Sequence, residues 1–201
     1  MSVKTASTDH PILDVLARRW SPRAFSTRRI EPGDLAILFE AARWAASCFG
    51  EQPWSFVVAT RDDPRGFENL ASCLNPGNAW AKAVPVLALS VTALHFARSG
   101  SPNRHAWHDV GLAMGNLCIQ ATSMGIYVHQ MGGFNPETAR TVLAIPETHA
   151  PVAMIALGYP GDPELLGEEL RKQEVAPRQR KRIEEFVFSG RWGEPAASVL
   201  A

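Results

Sequence analysis

Apolar side chains return every three or four positions between residues 106 and 125, with Val110, Ala113, Met114, Leu117, Ala121 and Met124 forming one stripe. That period predicts an α-helix, and because Leu112 and Ile119 lie off the stripe, the helix should be central or shared with another subunit. A second helical pattern, Leu35, Ile37, Leu38, Phe39, Ala42, Ala45 and Ala46, follows Pro32-Gly33-Asp34. It should stop near Ser47-Cys48-Phe49-Gly50, where glycine can take the left-handed conformation of a helix end. Shorter helices are predicted over residues 11–18 with Asp9 as cap, over 64–70, from the Asn135 cap to about residue 143, and over 165–172. Short runs rich in β-branched residues predict strands over 55–60, over 84–91 with Pro85 at the start, and over 151–159, with a brief strand or turn at 126–129. Helices outnumber strands and do not alternate with them regularly, so the expected class is α+β.

The length of 201 residues suits one domain over residues 1–201, with a loose arm over 1–10 and an extension over 183–201. Twenty basic and twenty acidic residues cancel, so no field over the whole molecule favours nucleic acid, and any anion site must be local. No uncharged apolar run is long enough to span a bilayer, and the first ten residues lack the apolar core of a secretory signal. Cys48, Cys73 and Cys118 are odd in number and far apart, which argues against a disulfide framework and against zinc. A soluble protein of the reducing cytoplasm, without membrane, nucleic-acid or metal partners, is the expectation.

Against that neutral background, two basic clusters stand out. Arg18-Arg19-Trp20-Ser21-Pro22-Arg23 carries three guanidinium groups in six residues, and Arg178-Gln179-Arg180-Lys181-Arg182 lies near the other end. Ser21-Pro22 must break any helix, so the turn can aim Arg19, Ser21 and Arg23 at one point, the donor set for a phosphate monoester. Spacing alone leaves a solvated basic turn as an equal alternative, and a solvated tail as the alternative for the second cluster. If the fold brings the clusters together, they define one phosphate pocket.

Other chemistry is thinly represented. Neither a GxGxxG loop nor a P-loop occurs, although Gly132-Gly133 at the end of a strand-like segment could let the backbone approach a ligand. His105 and His108 sit three apart beside Asp109 without a zinc motif, and no GxSxG elbow supports a serine nucleophile. No catalytic side chain is identified.

In combination, Arg19-Trp20-Ser21-Pro22-Arg23-Ala24-Phe25, then residues 45–54 ending in Gln52-Pro53-Trp54, then Asn78-Ala79-Trp80, the long helix, Gly132-Gly133 and the C-terminal arginines resemble the nitroreductase family of FMN-dependent oxidoreductases over nearly the whole chain. The resemblance implies an α+β homodimer, with a central mixed or antiparallel sheet flanked by helices and the long helix at the dimer interface. Two FMN sites would lie between the subunits. Arg19, Ser21 and Arg23 would contact the phosphate, ribityl chain and pyrimidine edge, with Trp20 contributing backbone, and Arg178 and Arg180 would close on the phosphate. Ala46, Ser47, Cys48 and Gly50 would reach the flavin of the other subunit. Asn78 would bond the pyrimidine side, and Gln130, Met131, Gly132 and Gly133 would lie against the isoalloxazine.

The family implies hydride transfer from NADH or NADPH to flavin N5, then reduction of an electron-poor acceptor such as a nitroaromatic or quinone, in a ping-pong cycle. Flavin storage or sensing, and a flavin-dependent dehydrogenase or dehalogenase on the same scaffold, are the alternatives. The chain departs from the family pattern at Gly50, where asparagine is usual, and at Ala46, where proline is usual.

Overall fold

A computed structural model of the chain describes residues 4–200. Its centre is a four-stranded sheet in the order β1-β2-β4-β3, comprising β1 (Trp54–Thr60), β2 (Val86–Ala93), β3 (Tyr127–Met131) and β4 (His149–Gly158). Each neighbouring pair is antiparallel, which resolves the mixed-or-antiparallel expectation. The class is α+β, with the sheet covered on both faces by helices.

That covering explains why β2 reads as an unbroken apolar run. Successive side chains of a strand point to opposite faces. Leu87, Leu89 and Val91 enter one core with Phe67 and Leu70 of α3 (Pro64–Ser72), whereas Val86 and Ala88 enter another with Leu38 and Ala42 of α2 (Pro32–Arg43) and Met114 and Leu117 of α4 (Ala106–Ser123). The stripe read from the sequence is the buried face of α4, and its other side leaves Trp107, Gly111, Leu112 and Gly115 exposed.

Several boundaries differ from those expected. The first helix, α1 (Asp14–Arg18), begins after Leu13, and Asp9 does not cap it; Asp14 instead pairs with Arg18 across one turn at 2.6 Å. The second helix ends at Arg43, because the following segment is held elsewhere: Asp109 Oδ2 accepts the Cys48 N–H at 3.0 Å and Ser47 Oγ accepts the Gln52 N–H at 2.9 Å. Gly50 does adopt a left-handed φ of 69°, but in the 3-10 turn Cys48–Gly50.

Asn135 caps α5 (Pro136–Val142) as expected, accepting from the Thr138 N–H at 2.9 Å. The helix expected at 165–172 is a 3-10 turn, Pro163–Leu165, followed by α6 (Glu168–Val175), because Asp162 caps the turn and Gly167 opens the helix. Among the described residues no helix is long and apolar enough to cross a membrane.

Candidate functional site

The arginine turn runs along the free edge of the sheet. Trp20 meets Tyr127 of β3 edge-on at 6.2 Å, and the Pro22 carbonyl accepts a 2.8 Å hydrogen bond from His129 Nδ1, which fixes the proton on that nitrogen. Beyond it the chain passes to the end of β4, where Gly161 N–H donates to the Ala24 carbonyl at 2.8 Å and Ser26 N–H to the Tyr159 carbonyl at 2.9 Å. Phe25 stacks on Trp80 with rings 6.2 Å apart and 9° from parallel, and Trp80 also packs on His129 at 4.8 Å. The Ser21-Pro22 break thus leads into a bond from a β3 side chain and then into main-chain bonds just past the end of β4.

The two basic clusters, separated by more than 150 positions, converge here. Arg19, Ser21, Arg23, Arg178 and Arg180 line one cavity of 190 Å³, joined by Lys4, Trp20, Gln173 and Glu174. Arg19 Nη1 donates to Ser21 Oγ at 3.1 Å, and Arg178 Nη1 donates to the Lys4 and Ala17 carbonyls at 3.1 and 2.8 Å. Burial, then Arg19 and Arg180, push the Arg178 guanidinium below its ordinary value; burial does the same to Lys4, where Glu174 pulls the other way and Arg178 and Arg23 push down. Lys4 Nζ donates to the Glu174 carbonyl at 2.6 Å and lies 5.1 Å from the centre of the Trp20 ring, so this part of the N-terminal arm is tied to the site.

One carboxylate enters the cluster without neutralising it. Glu174 is only 3% exposed, and its oxygens accept from the Arg23 N–H at 2.9 and 3.1 Å and the Ala24 N–H at 3.0 Å. Among the described residues Arg19, Arg23 and Arg180 make no ion pair. Several uncompensated guanidinium forks around a small cavity suit a doubly charged phosphate far better than a carboxylate side chain.

At the far end of β3, Asn78 Nδ2 donates to the Gly133 carbonyl at 2.8 Å, and a Cβ on Gly133 would lie 2.6 Å from that nitrogen. A Cβ at 133 would therefore push the Asn78 amide out of this position, whereas a Cβ at Gly132 would meet nothing within 4 Å. The Met131 side chain is buried in the core, leaving its main chain for any ligand, while Gln130 Nε2 reaches Cys118 Sγ at 3.8 Å. Burial pushes the Cys118 thiol up to about 11, against the opposing pull of Arg19 and Gln130, so it is no nucleophile.

Residues 46–50 are not brought into the arginine cavity. Ala46, Ser47 and Gly50 line a separate, open recess of 440 Å³ with Arg43, Trp44 and Gln52. Cys48 is anchored by its main chain to Asp109 of α4, and Phe49 projects with 93% of its surface exposed from a left-handed backbone, φ 55°. Asp109 Oδ1 also lies 3.2 Å from His108 Nδ1, so the pair beside His105 serves a loop anchor.

Sequence reasoning missed Lys4, Glu174, His129 and Asp109. Each acts mainly through a main-chain partner far away in sequence, which no local motif reports. His129 also carries a testable pH signature. Burial first, then Arg23 and Arg19, lower its pKa from the ordinary value, against the upward pull of the Pro22 carbonyl. The unfolded chain therefore binds the proton more readily, and the stability His129 confers is present above about pH 6.5 and lost as pH falls towards the folded value. Melting temperature against pH should fall below about 6.5 in the wild type and fall less in His129→Gln; coincident slopes would contradict this.

A family model described as the nitroreductase family matches residues 16–159. A 15.4 kDa protein of Mycolicibacterium smegmatis is 33% identical over 147 residues, covering 70% of this chain and 98% of that protein. An NADH dehydrogenase of Thermus thermophilus is 27% identical over 186 residues, 76% of this chain and 89% of that one. A crystal structure described as an oxidoreductase containing FMN superposes with a TM-score of 0.89 at 30% identity, covering 96% of this chain and 99% of the other.

Proposed function

The chain belongs to the nitroreductase family, and from that premise we propose that it binds FMN at the arginine turn and works as an NAD(P)H-dependent oxidoreductase. The observation that carries the assignment is the set of guanidiniums of Arg19, Arg23 and Arg180, left without an acidic side chain although a buried glutamate lies among them. Those residues fit the phosphate of FMN, with Arg178 closing the rim. Ser21, and Trp20 through its backbone, would meet the ribityl chain, and residues 130–133 with Asn78 would face the ring system.

Bound there, FMN would supply hydride chemistry at N5, first with NADH or NADPH and then with a nitroaromatic, quinone or similar electron-poor acceptor in a ping-pong cycle. The protein's own part is to bind, orient and keep one face accessible, and no side chain is assigned as acid or base. The assembly is a homodimer. A single protomer keeps residues 46–50 and the arginine cavity apart, and it exposes Ile12, Leu13 and Leu16 of the first helical region together with Trp107 and Leu112 of α4. Pairing through α4 would bury that apolar surface and carry Ala46, Ser47, Cys48 and Gly50 to the partner's flavin.

Purified protein should be yellow or take up added FMN, bleach under anaerobic NADH or NADPH, and recover colour when a quinone or nitroaromatic is added. Protein that neither carries nor takes up flavin would overturn the assignment, and a yellow protein that never bleaches would favour storage or sensing. A flavin-loaded monomer on size exclusion would remove the shared site.

A further inference from the structure

We infer that Glu174 is a positioning residue for the phosphate clamp: its buried carboxylate holds the main chain of the arginine turn, so that the guanidiniums remain available to an anionic ligand. This role rests on the anion-binding reading of the cavity just given. Glu174 lies beyond residues 16–159, outside the part of the chain that the family model matches.

Glu174 brings negative charge to the site where a phosphate would be least welcome beside it. A carboxylate facing the cavity would pair with Arg19, Arg23 or Arg180 and compete with any anion. Although Glu174 helps line the cavity, it is buried and its carboxylate oxygens are occupied by the N–H groups of Arg23 and Ala24, while its own carbonyl accepts from Lys4 Nζ. The two N–H groups are adjacent, so one carboxylate fixes the peptide from which the Arg23 side chain departs. Arg178, four residues on, bonds the Lys4 and Ala17 carbonyls and so ties the segment after α6 to the N-terminal arm and to α1. Near-isosteric glutamine with its oxygen at the Oε1 position still accepts from both N–H groups, at 3.1 and 3.0 Å, but it removes the charge that strengthens those bonds and sets an amide N–H₂ where Oε2 lay, 2.9 Å from the Arg23 N–H, so that two donors face each other and the turn loosens.

The experiment compares FMN with riboflavin, which lacks the phosphate, by fluorescence titration of apo-protein. In the wild type FMN should bind more tightly than riboflavin. In Glu174→Gln that preference should fall at least tenfold while riboflavin affinity stays within twofold. Glu174→Asp, which keeps the charge but withdraws it by one methylene, should move the same ratio in the same direction by less, and it provides the readout where the glutamine variant does not fold. A preference that survives in both variants, or parallel loss of both flavins, would reduce Glu174 to a structural residue and overturn the inference. Wild-type protein that binds neither flavin would instead sink the FMN reading. The positioning role would then be decided by inorganic phosphate: it holds if millimolar phosphate raises the wild-type melting temperature and not that of Glu174→Gln, and fails if both rise or neither does.

Discussion

Replacing Arg19 with alanine should weaken FMN binding by about 10- to 150-fold, corresponding to the roughly 1.5–3 kcal/mol contributed by a hydrogen bond to a charged group. Arg19 lies just past the end of α1 and reaches Ser21 Oγ, and it is one of the cations that crowd Arg178 in the same cavity. In the absence of an anion these neighbours repel, so the substitution relieves strain in the empty protein while removing a donor from the loaded one. Apo-protein stability should therefore hold or rise as flavin affinity falls. Arg19→Lys should recover part of the loss, since it restores the charge without the planar fork. Arg29→Ala, which removes an exposed pair with Asp62, provides the control and should leave the titration unchanged. Equal flavin affinity in Arg19→Ala and wild type would place the phosphate elsewhere.

Gly161→Ala should destabilise the fold by about 3 kcal/mol, at the upper end of the cost of overpacking, and should release the arginine turn with it. A Cβ at residue 161 would stand 2.3 Å from the carbonyl carbon and 2.5 Å from the carbonyl oxygen of Phe25, both backbone atoms that cannot rotate away. Relief requires separating residues 159–161 from residues 24–26, and so breaking the Gly161-to-Ala24 and Ser26-to-Tyr159 hydrogen bonds that anchor the turn beside β4. For a chain of this length the change amounts to a fall in melting temperature of about 2–4 °C per kcal/mol, accompanied by weaker FMN retention. Gly33→Ala, where a Cβ meets nothing within 4 Å, is the matched control and should be neutral or slightly stabilising. A Gly161→Ala protein with wild-type melting and flavin content would show that the turn does not depend on this contact.

Where local chemistry decides structure, the chain was readable. The stripe on α4, the Asn135 cap and the three long strands appear where their periods and caps put them, within a few residues. The errors fall where a distant partner overrides a local signal. Asp9 looks like a cap, but α1 opens after Leu13; residues 44–50 look like a helix end, but Asp109 and the Ser47 hydroxyl hold them as a separate loop. The Gly132-Gly133 pair is ambiguous as a motif, and the approach of the Asn78 amide distinguishes the two, since only at 133 would a Cβ meet a neighbour.

The arginines themselves follow the same division. Sequence alone determined that three guanidiniums crowd a helix-breaking Ser-Pro turn, that a second cluster lies near the other end of a chain with no net charge, and that the surrounding motifs resemble one family. Those are properties of neighbouring residues, set by backbone sterics and charge density. Only the tertiary structure decided that residues 19–23 and 178–180 line one cavity, that Glu174 bonds to main chain rather than to the cations, and that Lys4 and His129 help fasten the turn. Each of these depends on bringing together residues more than 100 positions apart, and on whether a buried charge finds a backbone donor or a side chain. That choice is made by packing, which acts after the local signals have been satisfied.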